Sequence, residues 1–346
     1  MGDLMFTNTT PSSASPDLHQ ERPRSHRVGV VLIVAALAVV PLLAGWLGQS
    51  FYTTMVTRIM VFGLAALGLN LVLGFGAMVS LGHAMYIGIG AYAVGILASH
   101  GVVSGWAHLG AALGVGLVAS LLVGAVCLRV AGVAFIMITL AFAQMFYFLA
   151  VGLKQYGGDD GLPVTSQSDF GLFSLANATV LYYATFAVLL VFLLGFHRLV
   201  HARFGMVLRG CKSNERRMLA LGFPVFRYKL VAYVVSAEVC VLAGILLANL
   251  TRFASPSYMS WAVSGDLIVM VVLGGIGTLM GPLVGAATWL VLEELLTSFR
   301  VPLPWGMDAM VRDHWPAVFG VLIIVVTLNL KQGLYGMLLQ RGGKHT

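Results

Sequence analysis

The sequence predicts an all-α membrane protein, a bundle of about ten transmembrane helices with both termini in the cytoplasm. Of its 346 residues, 59% are hydrophobic and only 10% are charged. A soluble domain carries about 25% charged residues, because water must wet its surface. A chain this poor in charge must expose much of its surface to lipid. The 41 glycines fit the same class, since small residues let membrane helices approach closely.

Apolar runs long enough to span a bilayer, about 20 residues each, follow one another along most of the chain. The run at 263–298 is too long for one span and is interrupted by glycines and Pro282, so we divide it there. We expect a transmembrane domain at 28–332, between a disordered cytoplasmic tail at 1–27 and a cytoplasmic tail at 333–346. The predicted spans are 28–48, 54–75, 82–100, 106–129, 131–152, 178–199, 229–250, 263–280, 281–298 and 314–332.

The distribution of basic residues predicts the orientation, because cytoplasmic loops of membrane proteins are enriched in Lys and Arg. With an even number of spans and a cytoplasmic N-terminus, five of the 20 Lys and Arg residues lie outside and fifteen lie inside. An odd number would place one basic terminus outside. The polar loop at 201–228 then faces the cytoplasm, and the loop around 153–177 lies over the outer end of the bundle.

Composition and motifs exclude several function classes. The net charge of +7 is spread over short stretches beside apolar runs, so no separate basic domain for a nucleic acid is present. The three cysteines lack metal-ligand spacing, and we predict neither a metal site nor a catalytic site. The stretch 205–213 resembles a phosphate-binding loop, but it has one residue too many before Lys212 and no preceding strand. If ATP drives this protein, another chain binds it.

Two glycine-rich interruptions are the first candidates for a functional site. Backbone that leaves helical hydrogen bonding inside a bilayer needs protein or a wet cavity to supply partners. The segment 68–84 is therefore either a discontinuous helix that lines a solute path or a tight inner turn between two ordinary helices. Its tripeptide at 72–74 recurs at 272–274, and paired interruptions in two halves of a transporter indicate its pathway. The candidate pathway residues are Asn70, Gly74, Ser80, Gly82, His83, Gly274, Gly275, Gly277 and Gly281.

Glu238 lies near the middle of a predicted span. A lone charge inside a membrane is costly, so such a residue usually faces a cavity or a partner. The sequence offers no evident basic partner at similar depth. Glu238 is therefore a buried acid whose role the sequence does not assign, and a proton relay is one hypothesis for it.

The loop at 201–228 contains a predicted short helix. Ser213 or Asn214 can cap it, Glu215 stands in its first turn, and Gly222 ends it. A short amphipathic helix on a loop suits docking into a groove of a soluble partner. A basic loop that fixes topology and touches lipid headgroups explains the same composition.

Three stretches together resemble the permease subunits of branched-chain amino acid ABC importers, a family related to urea permeases. They are 68–92, 209–237 and 270–286. The resemblance implies a bacterial inner-membrane complex in which a second related permease completes the path, two cytoplasmic ATPases bind ATP and Mg, and an extracytoplasmic binding protein delivers the solute. It also implies an ATPase-coupling loop on this chain, whose candidate residues are Arg209, Glu215, Ala220, Leu221, Gly222 and Lys229.

The sequence departs from the family pattern at a few positions. Met218 and Leu219 stand where small residues are usual, and Glu238 stands where an apolar residue is expected. These departures leave the detailed fit of the coupling loop and the role of Glu238 open.

The leading hypothesis is a transport subunit, without an ATP site of its own, that imports branched-chain or other hydrophobic amino acids. Urea or short amides are the next substrate class, and the permease pair is either homodimeric or heterodimeric. One alternative is a proton-coupled secondary transporter with Glu238 as proton carrier, and another is a channel-like or scaffolding membrane protein. The loop at 201–228 discriminates between the first two, because a proton-coupled carrier needs no ATPase dock.

Overall fold

The computed structural model describes residues 37–41, 50–298 and 333–342, together with the single positions 317, 320 and 324. Regular structure in these residues is almost entirely helical. A π-turn at Leu71–Phe75 extends the first named helix, and residues 37–41 are also helical. The named helices are α1 (Ser50–Asn70), α2 (His83–Ser99), α3 (Gly105–Cys127), α4 (Val133–Gly152), α5 (Ala178–His201), α6 (Arg203–Ser213), α7 (Glu215–Ala220), α8 (Val225–Thr251), α9 (Trp261–Gly274), α10 (Gly281–Thr297) and α11 (Gly333–Gly342).

The all-α membrane fold predicted from composition is confirmed. Within the described residues, five helices are long and apolar enough to cross a membrane, namely α1 with its π-turn, α3, α4, α5 and α8. The apolar helices α2 and α9 are shorter, at 17 and 14 residues. The predicted spans at 28–48 and 314–332 lie almost wholly outside the described residues, as does the predicted tail at 1–27.

The predicted span at 263–280 is too long, since α9 already ends at Gly274. Gly275 and Gly277 have φ angles of 124° and 76°, a left-handed backbone that glycine adopts without steric cost. These two residues turn the chain out of the helix before α10 begins.

Burial separates central helices from peripheral ones. In the most apolar window of each helix, 83% of α1 and 67% of α8 is buried, against 22% of α4 and 33% each of α3 and α5. Helix α2 is buried along most of its length. A helix that is apolar all round is buried in protein or spans a membrane, so the exposed apolar faces of α3, α4 and α5 suit contact with lipid.

Glycines let α2 and α8 cross in direct backbone contact. A Cβ at Gly90 would overlap the carbonyl of Val241, and a Cβ at Gly244 would overlap the carbonyl of Ile87. Small residues at such a crossing increase van der Waals contact between the two backbones. The crossing holds His83, the first residue of α2, against α8.

The connection between α4 and α5 covers the end of the bundle at which α8 terminates. Strand β1 (Leu162–Pro163) in this connection pairs antiparallel with β2 (Phe253–Ala254), which follows α8. The buried amide of Asn249 accepts from the Ser168 backbone N–H at 2.8 Å and donates to the Ser168 hydroxyl at 3.1 Å. The ring of His108 contacts that hydroxyl at 2.8 Å. The glycine-rich interruptions lie at the other end, beside α6.

Candidate functional site

The two glycine-rich interruptions meet in space, and Asn70 joins them. Its side-chain Oδ1 accepts a hydrogen bond from the Gly277 backbone N–H at 3.0 Å, and its Nδ2 donates to the Thr278 carbonyl at 2.7 Å. Asn70 is fully buried, so this bidentate contact satisfies its amide in a place where an unpaired polar group is costly. The last residue of α1 therefore holds the connection between α9 and α10.

Gly74 lies in the π-turn directly against the same connection. A Cβ at Gly74 would stand 2.6 Å from the Gly277 nitrogen and would overlap Oδ1 of Asn70. Only glycine allows this approach. We call Asn70, Gly74, Gly275 and Gly277 the glycine junction; π-turns of this kind occur frequently at functional sites.

The remaining glycines of the second interruption pack α9 against α10. A Cβ at Gly274 would overlap the Gly281 carbonyl, and a Cβ at Gly285 would overlap the Met270 carbonyl. Gly274 and Gly281 thus lie beside the glycine junction and form a tight helical hairpin there.

A buried hydrogen-bond chain lies where α2 begins. Ser236 on α8 donates to the Gly68 carbonyl at 2.6 Å, and the two ring nitrogens of His83 lie 2.9 Å from the hydroxyls of Ser80 and Ser236. The Ser236 proton is used on Gly68, so Nε2 of His83 is the donor to Ser236 and Nδ1 accepts from Ser80. Gly82 brings this segment against α4, since a Cβ there would lie 2.9 Å from the Thr139 carbonyl.

The segment 68–84 thus combines features of both sequence interpretations. It connects two helices, as a turn does, yet most of its residues are buried and its helical bonding changes register in the π-turn. The hydrogen bonds that run from Ser80 through His83 and Ser236 to Gly68 connect α1 and α2 to α8.

The short helix predicted in the loop at 201–228 is α7. Asn214 caps it by accepting from the Arg217 backbone N–H at 3.0 Å, and Gly222 follows with a φ of 83°. Glu215 forms an ion pair of 2.6 Å with Lys229 in the first turns of α8. α7 is therefore anchored at its start, while its other end projects: the exposed residues there are Leu219, Ala220, Leu221 and Gly222.

A small apolar cluster packs against α7 on the side that faces α6 and α8. Val207 and Cys211 of α6 pack with Val225 at the start of α8, and Met218 lies against the cluster. The Met218 sulfur also faces Gly210, where a Cβ would stand 2.7 Å away. The large residue at 218 therefore points inward, where glycine leaves room for it.

Two basic residues connect α6 to the rest of the protein. Arg209 donates to the Val200 carbonyl at 3.1 Å and to the Gly205 carbonyl at 3.3 Å, which holds α6 to the end of α5. Lys212 donates to the Gly74 carbonyl at 2.7 Å. Sequence reasoning missed Lys212 as a site residue, because nothing in a loop sequence indicates which distant carbonyl a lysine reaches.

Glu238 lies apart from these groups. Ser236 faces α1 and His83, and a position two residues further along a helix is rotated by about 200°. Glu238 accordingly faces α3, where a Cβ at Gly116 would lie 3.2 Å from its carboxylate. Neither carboxylate oxygen has a hydrogen-bond partner among the described residues.

The assembled residues suit positioning rather than covalent chemistry. The polar side chains at the glycine junction and around His83 bind backbone groups and each other. In the part of the chain that the structure describes, no group of three or more His, Cys, Asp or Glu residues could hold a metal ion.

Comparison with known proteins identifies relatives of this chain. The family model for the branched-chain amino acid transport system permease component matches residues 51–327. The high-affinity branched-chain amino acid transport system permease protein LivM of Escherichia coli K12 is 27% identical over 305 residues, which cover 81% of this chain and 69% of LivM. LivH of the same strain is 23% identical over 80% of this chain and 91% of LivH. The fructose import permease protein FruG of Bifidobacterium longum is 25% identical over 46% of this chain and 51% of FruG.

No solved structure matches the chain. The family match extends over both glycine-rich interruptions and the loop at 201–228, in a protein with several apolar helices of spanning length. The chain belongs to the family of branched-chain amino acid transport system permease components, and it is a multi-pass inner-membrane subunit of an ABC transporter whose ATPase activity resides on separate subunits.

Proposed function

We propose that this chain forms part of the solute path of an ATP-driven importer for branched-chain or similar hydrophobic amino acids, and that α7 docks into a groove on a partner ATPase. The observation that carries the proposal is the form of α7. It is a short helix with an exposed apolar end, attached at its base by the Asn214 cap and the ion pair between Glu215 and Lys229.

The exposure of this end supports docking over a role in topology alone. Leu219 and Leu221 are 55% and 65% exposed, outside the apolar window of any spanning helix. Leucine side chains that project from a capped helix suit an apolar groove on a soluble partner. A loop that only touches lipid headgroups needs neither the cap nor the supporting cluster.

The glycine junction is the proposed gate of the path. Asn70, Gly74 and Gly275 are buried, and Asn70 hydrogen-bonds the non-helical connection at Gly277 and Thr278. Such partners from the protein are the condition under which irregular backbone persists inside a membrane. Ser80, Gly82 and His83 lie on the adjoining segment, and Gly274 and Gly281 lie on the adjoining hairpin. Small motions at these residues would alter the packing of α1, α8, α9 and α10 together.

The substrate class rests on relatives. LivM and LivH are named for branched-chain amino acid transport, while FruG is named for fructose import. The relatives with long alignments favour amino acids, and urea or short amides stay the next class. We further propose that a second related permease, two ATPases that bind ATP and Mg, and an extracytoplasmic binding protein complete the complex.

Substitutions at the end of α7 test this function. Ala220→Trp and Gly222→Val should abolish ATPase association and ATP-dependent uptake while membrane insertion survives, because one blocks the docking surface and the other strains a left-handed backbone. Gly132→Val is the matched control, since Gly132 also has a positive φ, 65°, and no heavy atom within 4 Å of its Cβ position. Normal uptake and association in both α7 variants would refute the proposal.

The proton-coupled alternative depends on Glu238 alone. Its carboxylate lies on the side of α8 that faces α3, away from His83 and the glycine junction. Membership in a family of ABC permease components favours ATP as the energy source.

A further inference from the structure

We infer that Lys212 is a positioning residue that transmits movement of α7 to the glycine junction, through its hydrogen bond to the Gly74 carbonyl. The inference rests on the proposed docking of α7. It assigns a transport role to a residue outside both the docking surface and the glycine-rich segments.

The first step is the position of Lys212 on α6. It lies in the last turn, two residues before Asn214, the residue that caps α7. Its Nζ lies 2.7 Å from the Gly74 carbonyl oxygen. The ammonium forms no ion pair with a residue that the structure describes, so its charge is directed to this carbonyl.

The second step is the reason that the Gly74 carbonyl accepts a cation. The last carbonyls of a helix lack intrahelical partners and carry the negative end of the helix dipole. Just after the π-turn, the backbone N–H groups of Gly76 and Met78 both bond to the Val72 carbonyl. The Gly74 carbonyl is left for Lys212, which therefore caps the C-terminal end of α1 and its π-turn.

The third step is the close packing of the segments on either side of this hydrogen bond. On one side, Arg209 ties α6 to α5, and Met218 of α7 packs on Gly210 of α6. On the other side, a Cβ at Gly74 would stand only 2.6 Å from the Gly277 nitrogen. A shift of α7 therefore displaces Lys212, and a shift at Gly74 displaces the connection between α9 and α10.

Together these contacts form one continuous path from the exposed end of α7 to both interruptions. Lys212 reaches from the loop at 201–228 to the backbone of the membrane domain at this point. If the bond carries the coupling, its removal should leave ATP hydrolysis intact and reduce the solute moved per ATP.

The test uses the complete importer reconstituted in proteoliposomes with Lys212→Met. Arg203→Met is the matched control, because it removes an exposed cation from the first residue of the same helix. Three quantities are measured: co-purification of the ATPases, ATP hydrolysis and uptake of labelled leucine. We expect Lys212→Met to keep the ATPases and their hydrolysis but to lose about tenfold in leucine per ATP, the equivalent of one hydrogen bond to a charged group. Lys212→Arg should recover most of the ratio.

Each outcome separates this inference from the proposed function. An unchanged ratio in Lys212→Met, with ATP-dependent uptake intact in the wild type, would overturn the role of Lys212 alone. Loss of the ATPases in Lys212→Met would also overturn it, because the residue would then serve docking. A wild-type chain that neither binds ATPases nor responds to ATP would refute the proposed function itself. If Lys212→Met does not fold, Lys212→Gln is judged by the same ratio.

Discussion

Asn70→Leu removes both hydrogen bonds that join the glycine-rich interruptions and replaces the amide by an apolar group of similar branching. The Gly277 N–H and the Thr278 carbonyl, bonded to Asn70 at 3.0 and 2.7 Å, would lose their partner in a partly buried connection. An unsatisfied buried group costs about 1–3 kcal/mol, whereas cross-helix hydrogen bonds within membranes average about 0.6 kcal/mol. Because both groups belong to a non-helical connection, we expect a loss of about 2–4 kcal/mol in unfolding free energy.

Unfolding by SDS in mixed micelles measures this loss, and proteoliposome uptake measures its consequence. Thr57→Val is the matched control, since Thr57 is a buried polar residue of the same helix. Among the described residues its hydroxyl bonds only to the Thr53 carbonyl one turn away, at 2.7 Å. It should cost less than about 1 kcal/mol. An Asn70→Leu protein as stable as Thr57→Val, with normal uptake, would show that the amide does not hold the junction.

Three further predictions follow from the same geometry. Gly74→Ala should lose about 1–3 kcal/mol through overpacking against Gly277, whereas Gly110→Ala, with no heavy atom within 4 Å of its Cβ position, should be neutral or stabilising in the same SDS titration. Lys229→Met breaks the 2.6 Å ion pair with Glu215 and should cost at most about 1 kcal/mol of stability. It should nevertheless weaken ATPase binding in a pull-down, and full binding would argue against α7 as the docking helix. Glu238→Gln should retain ATP-dependent uptake, because its carboxylate faces α3; abolished uptake would instead support proton coupling.

Much of the secondary structure was predictable because it depends on local chemistry. Apolar runs of spanning length predicted α3, α4, α5 and α8 within a few residues of their observed bounds. The short helix α7 followed from its cap Asn214 and its terminating Gly222, and both residues act as expected. The predicted end of the span at 263–280 was wrong, because the helix stops at a left-handed turn at Gly275 that depends on the segment packed against it.

The candidate site was only partly predictable. Gly74 and Gly277 were predicted as pathway residues because glycine weakens an apolar helix. Their contact depends on how two distant helices pack, since Asn70 and Gly277 are 207 residues apart in the sequence. The resemblance of 72–74 to 272–274 suggested that the two segments belong to one pathway, and their proximity is consistent with that hypothesis. It did not indicate that Asn70 bonds to the second segment, nor that Lys212 bonds to the Gly74 carbonyl in the first.

The sequence by itself determined that this protein lies in a membrane, since a chain with so few charged and so many apolar residues must expose much of its surface to lipid. It also determined most of the described helices, through hydrophobic run length and capping residues that act over a few positions. Only the tertiary structure decided which glycines meet, which carbonyl receives Lys212 and which way Glu238 points. These properties depend on the rotation and crossing of whole helices, which distant residues set jointly.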